Sequence, residues 1–190
     1  MNGGAPGQLR SSKRARLFLA GGILLAGLQL VLACGRQPEV GATGALEIPD
    51  FRLASLDGGQ MGPSSFDGEI VGFDFRATWC LPCHAQADIL KVLHGDFDDL
   101  GVEFVAVNVG EVEKQVRGFV EKRPFPYPVL MDPADEVSTL LGIYGLPTVM
   151  VLNHRGEVAF VRTGVSSEGD LRALLETLVR DVTAGRVAVS

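Results

Sequence analysis

Cys80 and Cys83 are separated by two residues, directly after an apolar, aromatic run from Val71 to Phe75 and directly before a helical pattern. Thiols at that spacing can close a disulfide within one helical turn. A helix starting at Cys80 would aim its free backbone N–H groups and the positive end of its dipole at the first sulfur and stabilise the thiolate. Cys80 is then the nucleophile. Cys83, one turn in and more buried, is the resolving thiol that attacks a mixed disulfide and releases the partner. Pro82 suits the first turn, because the N–H it lacks would be unsatisfied there anyway. The same pair could be half of a zinc site or a structural disulfide. Zinc needs two more ligands at suitable spacing, and the remaining cysteine, Cys34, is far away in the chain. Strand, cysteine pair, then helix is the order of a redox site.

Asp74 lies in the middle of the strand, where an acid is costly unless it is neutral or paired. Burial would raise its pKa and suit it to exchange a proton with Cys83 during turnover. Arg76, two residues along, shares its face, so a competing reading is an ion pair that keeps Asp74 charged and disables it as a carrier. A solvated surface acid is the third reading. His84 could tune the thiolate as a cation, although a surface histidine is the commoner outcome. Trp79 reads as the rim of the site, with core packing as its alternative, and His94 and His154 read as helix-end and turn residues. Asp96, Asp98 and Asp99 lack the full calcium-loop pattern and read as a solvated loop.

The elements that must position these residues follow from hydrophobic periodicity. The strand spans 70–76, and the helix after Cys80 runs to about His94, where Gly95 supplies a stop. Residues 102–109 are valine-rich and suit a parallel strand buried on both faces. A helix over 111–122 carries Val112, Val116, Phe119 and Val120 on one face, and the prolines at 124, 126 and 128 forbid regular structure. Short elements follow: a strand at 129–131, a helix near 134–141, and strands at 148–152 and 157–162 joined by a turn at 153–156. Ser167 caps a last helix whose face carries Leu171, Leu174, Leu175, Leu178 and Val179. Upstream, 51–56 with the turn Asp57-Gly58-Gly59 opens the domain as a strand or hairpin, and 64–68 forms a short helical turn.

Three motifs carry a resemblance: Phe75-x-Ala77-Thr78-Trp79-Cys80-x-Pro82-Cys83, then Gly142-Ile143-Tyr144-Gly145-Leu146-Pro147-Thr148, and upstream Phe51-x-Leu53-x-x-Leu56-Asp57-Gly58. From about residue 48 to about residue 180 the chain resembles thioredoxin-like proteins, and more closely the exported TlpA/ResA-type thiol-disulfide oxidoreductases. Together with the element pattern this implies an α/β thioredoxin fold: a central mixed β-sheet flanked by helices on both faces, with an N-terminal β-hairpin extension. An X-Pro bond is ordinarily trans, but the resemblance implies a cis bond at Leu146-Pro147, facing the two cysteines and presenting the Leu146 backbone to an incoming peptide. It makes Trp79, Pro82, Leu146 and Pro147 the substrate-binding set. Asp74 resembles the buried acid of thioredoxin itself. TlpA/ResA-like proteins usually carry Asn there and a Glu on the first helix, where this chain has Gln86. The acid has changed places. Arg76 departs from the family, which keeps Trp or another large apolar residue.

The resemblance implies no cofactor. It implies reduction of disulfides in exported substrate proteins, for instance apocytochrome or copper-site cysteines, with recharging by a membrane electron donor. A copper-binding assembly module is the alternative, using Cys80 and Cys83 with His84 or His154 as ligands, although related copper carriers space their cysteines by three residues. A peroxidase of the same superfamily is disfavoured because the Pro-x-x-x-Thr-x-x-Cys pocket pattern is absent.

At 190 residues with 46% hydrophobic content there is chain for one domain with a full core. Arg10, Lys13, Arg14 and Arg16 precede an apolar run over 17–33, which describes a secretory signal better than a spanning helix. Val31-Leu32-Ala33-Cys34-Gly35 resembles a bacterial lipoprotein box, with Cys34 lipidated after cleavage; an uncleaved anchor and a plain secreted form are the alternatives. The organisation expected is a signal over 1–33, a tether over 34–46, the thioredoxin-like domain over 47–182 and a frayed tail over 183–190. That places the domain outside the cytoplasm, in the periplasm or at the cell surface, anchored to a bacterial membrane and in a compartment where disulfides persist. Residues 1–33 hold four of the 17 basic and none of the 23 acidic residues, so the remainder has 13 against 23 and a charge of −10. Nucleic acid is a poor candidate partner for such a surface.

Overall fold

The computed structural model describes residues 46–187, so the expected signal, Cys34 and the tether up to residue 45 lie outside the described residues. Leu46 already belongs to the domain: its carbonyl accepts the Val158 N–H at 2.8 Å, and Glu47 bridges to Glu157.

Seven strands form one mixed sheet: β1 (Leu53–Ser55), β2 (Gln60–Met61), β3 (Ile70–Arg76), β4 (Val102–Val109), β5 (Val129–Asp132), β6 (Thr148–Leu152) and β7 (Val158–Thr163). Their order is β2-β1-β5-β4-β3-β6-β7. Central β3 pairs in parallel with β4 and antiparallel with β6, so both flanks of the strand that leads to the cysteines are occupied. The N-terminal hairpin β1-β2 adds to the sheet through an antiparallel pairing with β5.

Alternation along the strands divides the core in two. Val71, Phe73 and Phe75, with Val105, Val107 and Leu130, pack under Phe51, under Phe66 of the 3-10 turn Pro63–Phe66, and under Val137. Ile70, Phe104 and Ala106 point the other way, against Leu90, Leu93, Val116, Leu171 and Leu175. Helices α1 (Leu81–Phe97), α2 (Glu113–Val120) and α4 (Glu168–Val187) therefore pack against one face, and short α3 (Glu136–Leu140) covers the other. Each fully buried Leu, Ile or Phe contributes about 1.5–3 kcal/mol relative to exposure. Gly72 leaves room for its cross-strand neighbour, because a Cβ there would lie 2.6 Å from the Phe104 ring.

Four boundaries differ from expectation, each for a packing reason. Helix α1 continues through Gly95 to Phe97, because Leu90, Leu93 and Phe97 keep one buried face, which outweighs the roughly 1 kcal/mol cost of a helical glycine. Helix α2 starts at Glu113 rather than residue 111, since the Glu111 side chain is turned inward. Helix α3 starts at Glu136: the buried Asp132 carboxylate accepts the N–H groups of Val137 (3.3 Å) and Ser138 (2.8 Å) and the Ser138 hydroxyl (2.8 Å). Helix α4 runs on to Val187 where fraying was expected from 183, with Val182 still packed on the core.

Candidate active site

The polypeptide leaves β3 at Arg76, passes Ala77, Thr78 and Trp79, and turns into α1 with Cys80 as the N-cap residue (φ −81°, ψ 100°). The Cys80 amide donates to the Ala77 carbonyl at 3.2 Å and the Cys83 amide donates to Cys80 Sγ at 3.3 Å. That places a sulfur where an N-cap oxygen ordinarily sits, at the positive end of a 17-residue helix. A charge there as thiolate would be stabilised by the N–H and the dipole together. The two cysteines are joined, with S–S 2.02 Å and Cα–Cα 5.3 Å, and both are buried. The strand, cysteine pair, helix order expected from the sequence is present.

Strand β6 lies beside β3 and carries Pro147 at its entrance, so pairing of Phe75 with Thr148 brings the preceding loop to the cysteines. The Leu146–Pro147 bond is cis, as the resemblance implied. Leu146 packs on the Ala77, Cys80 and Cys83 cluster, and Thr148 fixes the loop by donating from Oγ1 to the Gly145 carbonyl at 2.7 Å. Trp79 is 67% exposed, which sets aside core packing for it, and Pro82 is exposed beside it. A cleft of about 570 Å³ opens here, lined by Trp79, Ile143, Tyr144, Leu146, Asp135 and Thr139 among others. Tyr144 is 86% exposed, an aromatic the sequence reading passed over although it lies in one of the quoted motifs.

Glu111 was also missed. Its carboxylate, on the loop after β4, accepts the Thr78 N–H at 2.6 Å and the Thr78 hydroxyl, Asn108 Nδ2 at 2.8 Å and Gln115 Nε2 at 2.5 Å. His84 completes the clamp: its Nε2 lies 2.9 Å from the Thr78 carbonyl and its ring stands 5.3 Å from that of Phe119. The expected surface histidine is thus half-buried and engaged. A signal for Glu111 existed in the sequence, since a charged residue directly after the carboxyl end of a buried parallel strand sits where α/β sheets place their sites.

Asp74 is fully buried, on the face of β3 that α1 covers, which removes the solvated-acid reading. Neither carboxylate oxygen has a hydrogen-bond partner. Burial pushes its carboxyl up to about 7, with the Arg76 guanidinium pulling the other way. Arg76 is 2% exposed and does not pair with Asp74: its terminal nitrogens are without partners, and its guanidinium lies 4.6 Å from the Phe125 ring centre and 5.3 Å from that of Phe119. Burial likewise pushes the neighbouring Tyr127 hydroxyl far above its ordinary range, and that hydroxyl too lacks a partner. Gln86, at the position of the family's helix acid, is buried and accepts the Ser166 N–H at 2.7 Å. His154 follows β6 at Leu152, which pairs with Val71, so it lies at the opposite end of β3 from Cys80. Asp98 and Asp99 begin a 3-10 turn, and Asp96 accepts from Arg172 at 2.6 Å.

Comparison with known proteins agrees with this geometry. The profile of the AhpC/TSA family matches residues 45–161. Thiol-disulfide oxidoreductase ResA of Geobacillus thermodenitrificans (strain NG80-2) is 32% identical over 130 residues, 68% of this chain and 75% of the relative. ResA of Bacillus subtilis (strain 168) is 30% identical over 178 residues, 91% of this chain and 99% of the relative. A thiol:disulfide interchange protein of the thioredoxin family from Chlorobium tepidum TLS superposes with a TM-score of 0.65 over 73% of this chain and 99% of its own, at 24% identity, which establishes the fold. The N-capping disulfide, the cis-proline loop beside it and these likenesses together place the chain in the AhpC/TSA family, as a ResA-like thiol-disulfide oxidoreductase of thioredoxin fold.

Proposed function

We propose that this enzyme works outside the cytoplasm, held to a bacterial membrane through Cys34, as a reductant of disulfides in exported proteins of the cytochrome c or copper-site maturation kind. The observation that carries the reading is Cys80 Sγ at the head of α1, accepting the Cys83 N–H beside an open cleft. In the reduced enzyme the Cys80 thiolate attacks a substrate disulfide, one substrate sulfur leaves as thiolate, and Cys80 is linked to the other. Asp74 takes the Cys83 proton. The Cys83 thiolate then attacks Cys80 Sγ, closes the Cys80–Cys83 disulfide and expels the second substrate thiolate. Two electrons pass to the substrate, and a membrane electron donor returns them to the enzyme. Trp79, Tyr144, Leu146 and Pro147 line the docking groove, and exposed Pro82 forms its near edge. The remainder after residue 33 has a charge of −10, which speaks against nucleic acid.

The test is trapping together with a potential. Reduced full-length Cys83→Ser, mixed with a disulfide-bridged peptide, should accumulate a peptide adduct through Cys80, whereas Cys80→Ser should form none. Trp79 fluorescence against a thiol buffer then gives the potential: a value near the roughly −270 mV of thioredoxin supports a reductant, and one near the roughly −120 mV of a dedicated oxidant reverses the direction.

A further inference from the structure

An acid and a guanidinium lie buried on one face of one strand without touching. Asp74 and Arg76 are two residues apart on β3, so their side chains leave the same face, yet no ion pair forms between them and all four of their terminal polar atoms are without partners. What holds Arg76 away is aromatic: the rings of Phe119, at the end of α2, and Phe125, in the proline-rich loop, both lie against its guanidinium. The same pocket holds one further acid shared by two cations. Asp88 on α1 pairs with Lys91 at 3.8 Å and with Arg123 at 3.4 Å, and Lys91 stands over the Phe125 ring at 5.1 Å. Tyr127 faces Asp74 as an uncharged hydroxyl, and Glu111 is committed to Thr78, Asn108 and Gln115. Among the described residues, Arg76 is therefore the cation near Asp74 that no other acid claims.

We propose that Arg76 is a positioning residue for the proton step: a permanent cation, held by two phenylalanines at a distance from Asp74, that stabilises the ionised carboxylate without capturing it. The inference rests on the reading of Asp74 as the proton carrier. In the step it serves, the proton moves from the Cys83 thiol to the Asp74 carboxylate, leaving a thiolate and a neutral acid, and the charge that Arg76 faced on Asp74 passes to sulfur. A direct ion pair would hold Asp74 charged and unable to accept. With no cation, desolvation alone would hold it protonated and equally unable to accept. A cation near but not bonded leaves the carboxylate ionised in part of the population at neutral pH and still basic. The direction agrees with the structure, where Arg76 opposes the upward pull of burial on Asp74.

The experiment uses the full chain and one probe, a peptide closed by a single disulfide, with adduct decay followed by stopped-flow Trp79 fluorescence from pH 5 to 9. In Arg76→Met, which keeps a long apolar chain and removes the charge, the inflection should move up by about one pH unit, the low end of what a nearby opposite charge supplies. At pH 7 that lowers the rate about five-fold and leaves the rate at pH 9 unchanged. Arg76→Lys, which keeps the cation, should restore the parent profile, and carboxyl-carbon NMR of Asp74 should follow the same shift. An Arg76→Met profile that falls equally at every pH, or does not move, overturns the proposal in favour of a packing role. Asp74→Asn separates the two readings: if its inflection matches the parent, Asp74 carries no proton and the inference falls with that reading. If it abolishes the inflection while Arg76→Met leaves it in place, the carrier stands and Arg76 does not tune it.

Discussion

Replacing Glu111 by alanine tests whether the loop before Cys80 is held from the end of β4. The carboxylate accepts from four donors, and their fates differ on truncation. The exposed Gln115 amide and the half-buried Thr78 hydroxyl turn to water, whereas the Thr78 backbone amide and the buried Asn108 side chain lose their acceptor. A buried and a half-buried donor left unmade cost about 1–3 kcal/mol each, the half-buried one at the low end, so Glu111→Ala should lower stability by about 2–6 kcal/mol, with values near 3 expected because water can reach the Thr78 side of the vacated space. Urea unfolding of the oxidised protein, followed by circular dichroism, measures this directly. Thr78 is two residues from the nucleophile, so the loosened loop should also slow the reaction with a peptide disulfide by roughly 10- to 100-fold. Glu111→Gln keeps one acceptor oxygen and should fall between. An alanine variant within about 0.5 kcal/mol of the parent, with the parent's exchange rate, would refute the clamp.

Asp74→Asn should change stability in a pH-dependent way. The folded carboxyl sits at about 7 against 3.8 when unfolded, so folding retains a proton that the unfolded chain releases between those values. The charge therefore costs nothing below about pH 4, costs progressively more from pH 4 to 7, and reaches about 4 kcal/mol above pH 7. The asparagine variant should match the parent at pH 4 and exceed it by a few kcal/mol at pH 8, and a gain independent of pH in urea titrations would contradict the buried-acid account. Gly72→Ala should cost about 1–3 kcal/mol, because the Phe104 ring occupies the space of the new methyl and is itself fully buried; an unchanged unfolding midpoint would mean that the ring can shift. Tyr144→Ala removes a side chain that is 86% exposed, so stability should stay within about 0.5 kcal/mol while KM for a bridged peptide rises and the reaction with glutathione disulfide is unaltered; equal losses with both substrates would take Tyr144 out of the groove.

The sequence by itself determined the local parts. The buried strands at 70–76, 102–109 and 148–152 are readable because their apolar runs are continuous and bounded by turn residues, and α1 because its period of 3.6 begins at the cysteines. Cys80 and Cys83 are legible for the same reason, since three residues of separation in a helix already fix their proximity. Pro147 needed the resemblance, because an isolated X-Pro dipeptide ordinarily stays trans. The tertiary structure decided what depends on partners distant in the chain. Whether Asp74 and Arg76 pair could not follow from their spacing: the answer lies with Phe119 and Phe125, more than forty residues on, which give the guanidinium an aromatic bed instead of a carboxylate. Glu111 shows the same limit, reading as the first residue of a helix until Thr78, brought across by the β3–β4 pairing, supplies donors that turn it inward. A period reports which way a side chain points along its own element, and the packing of other elements onto that face decides what it meets there.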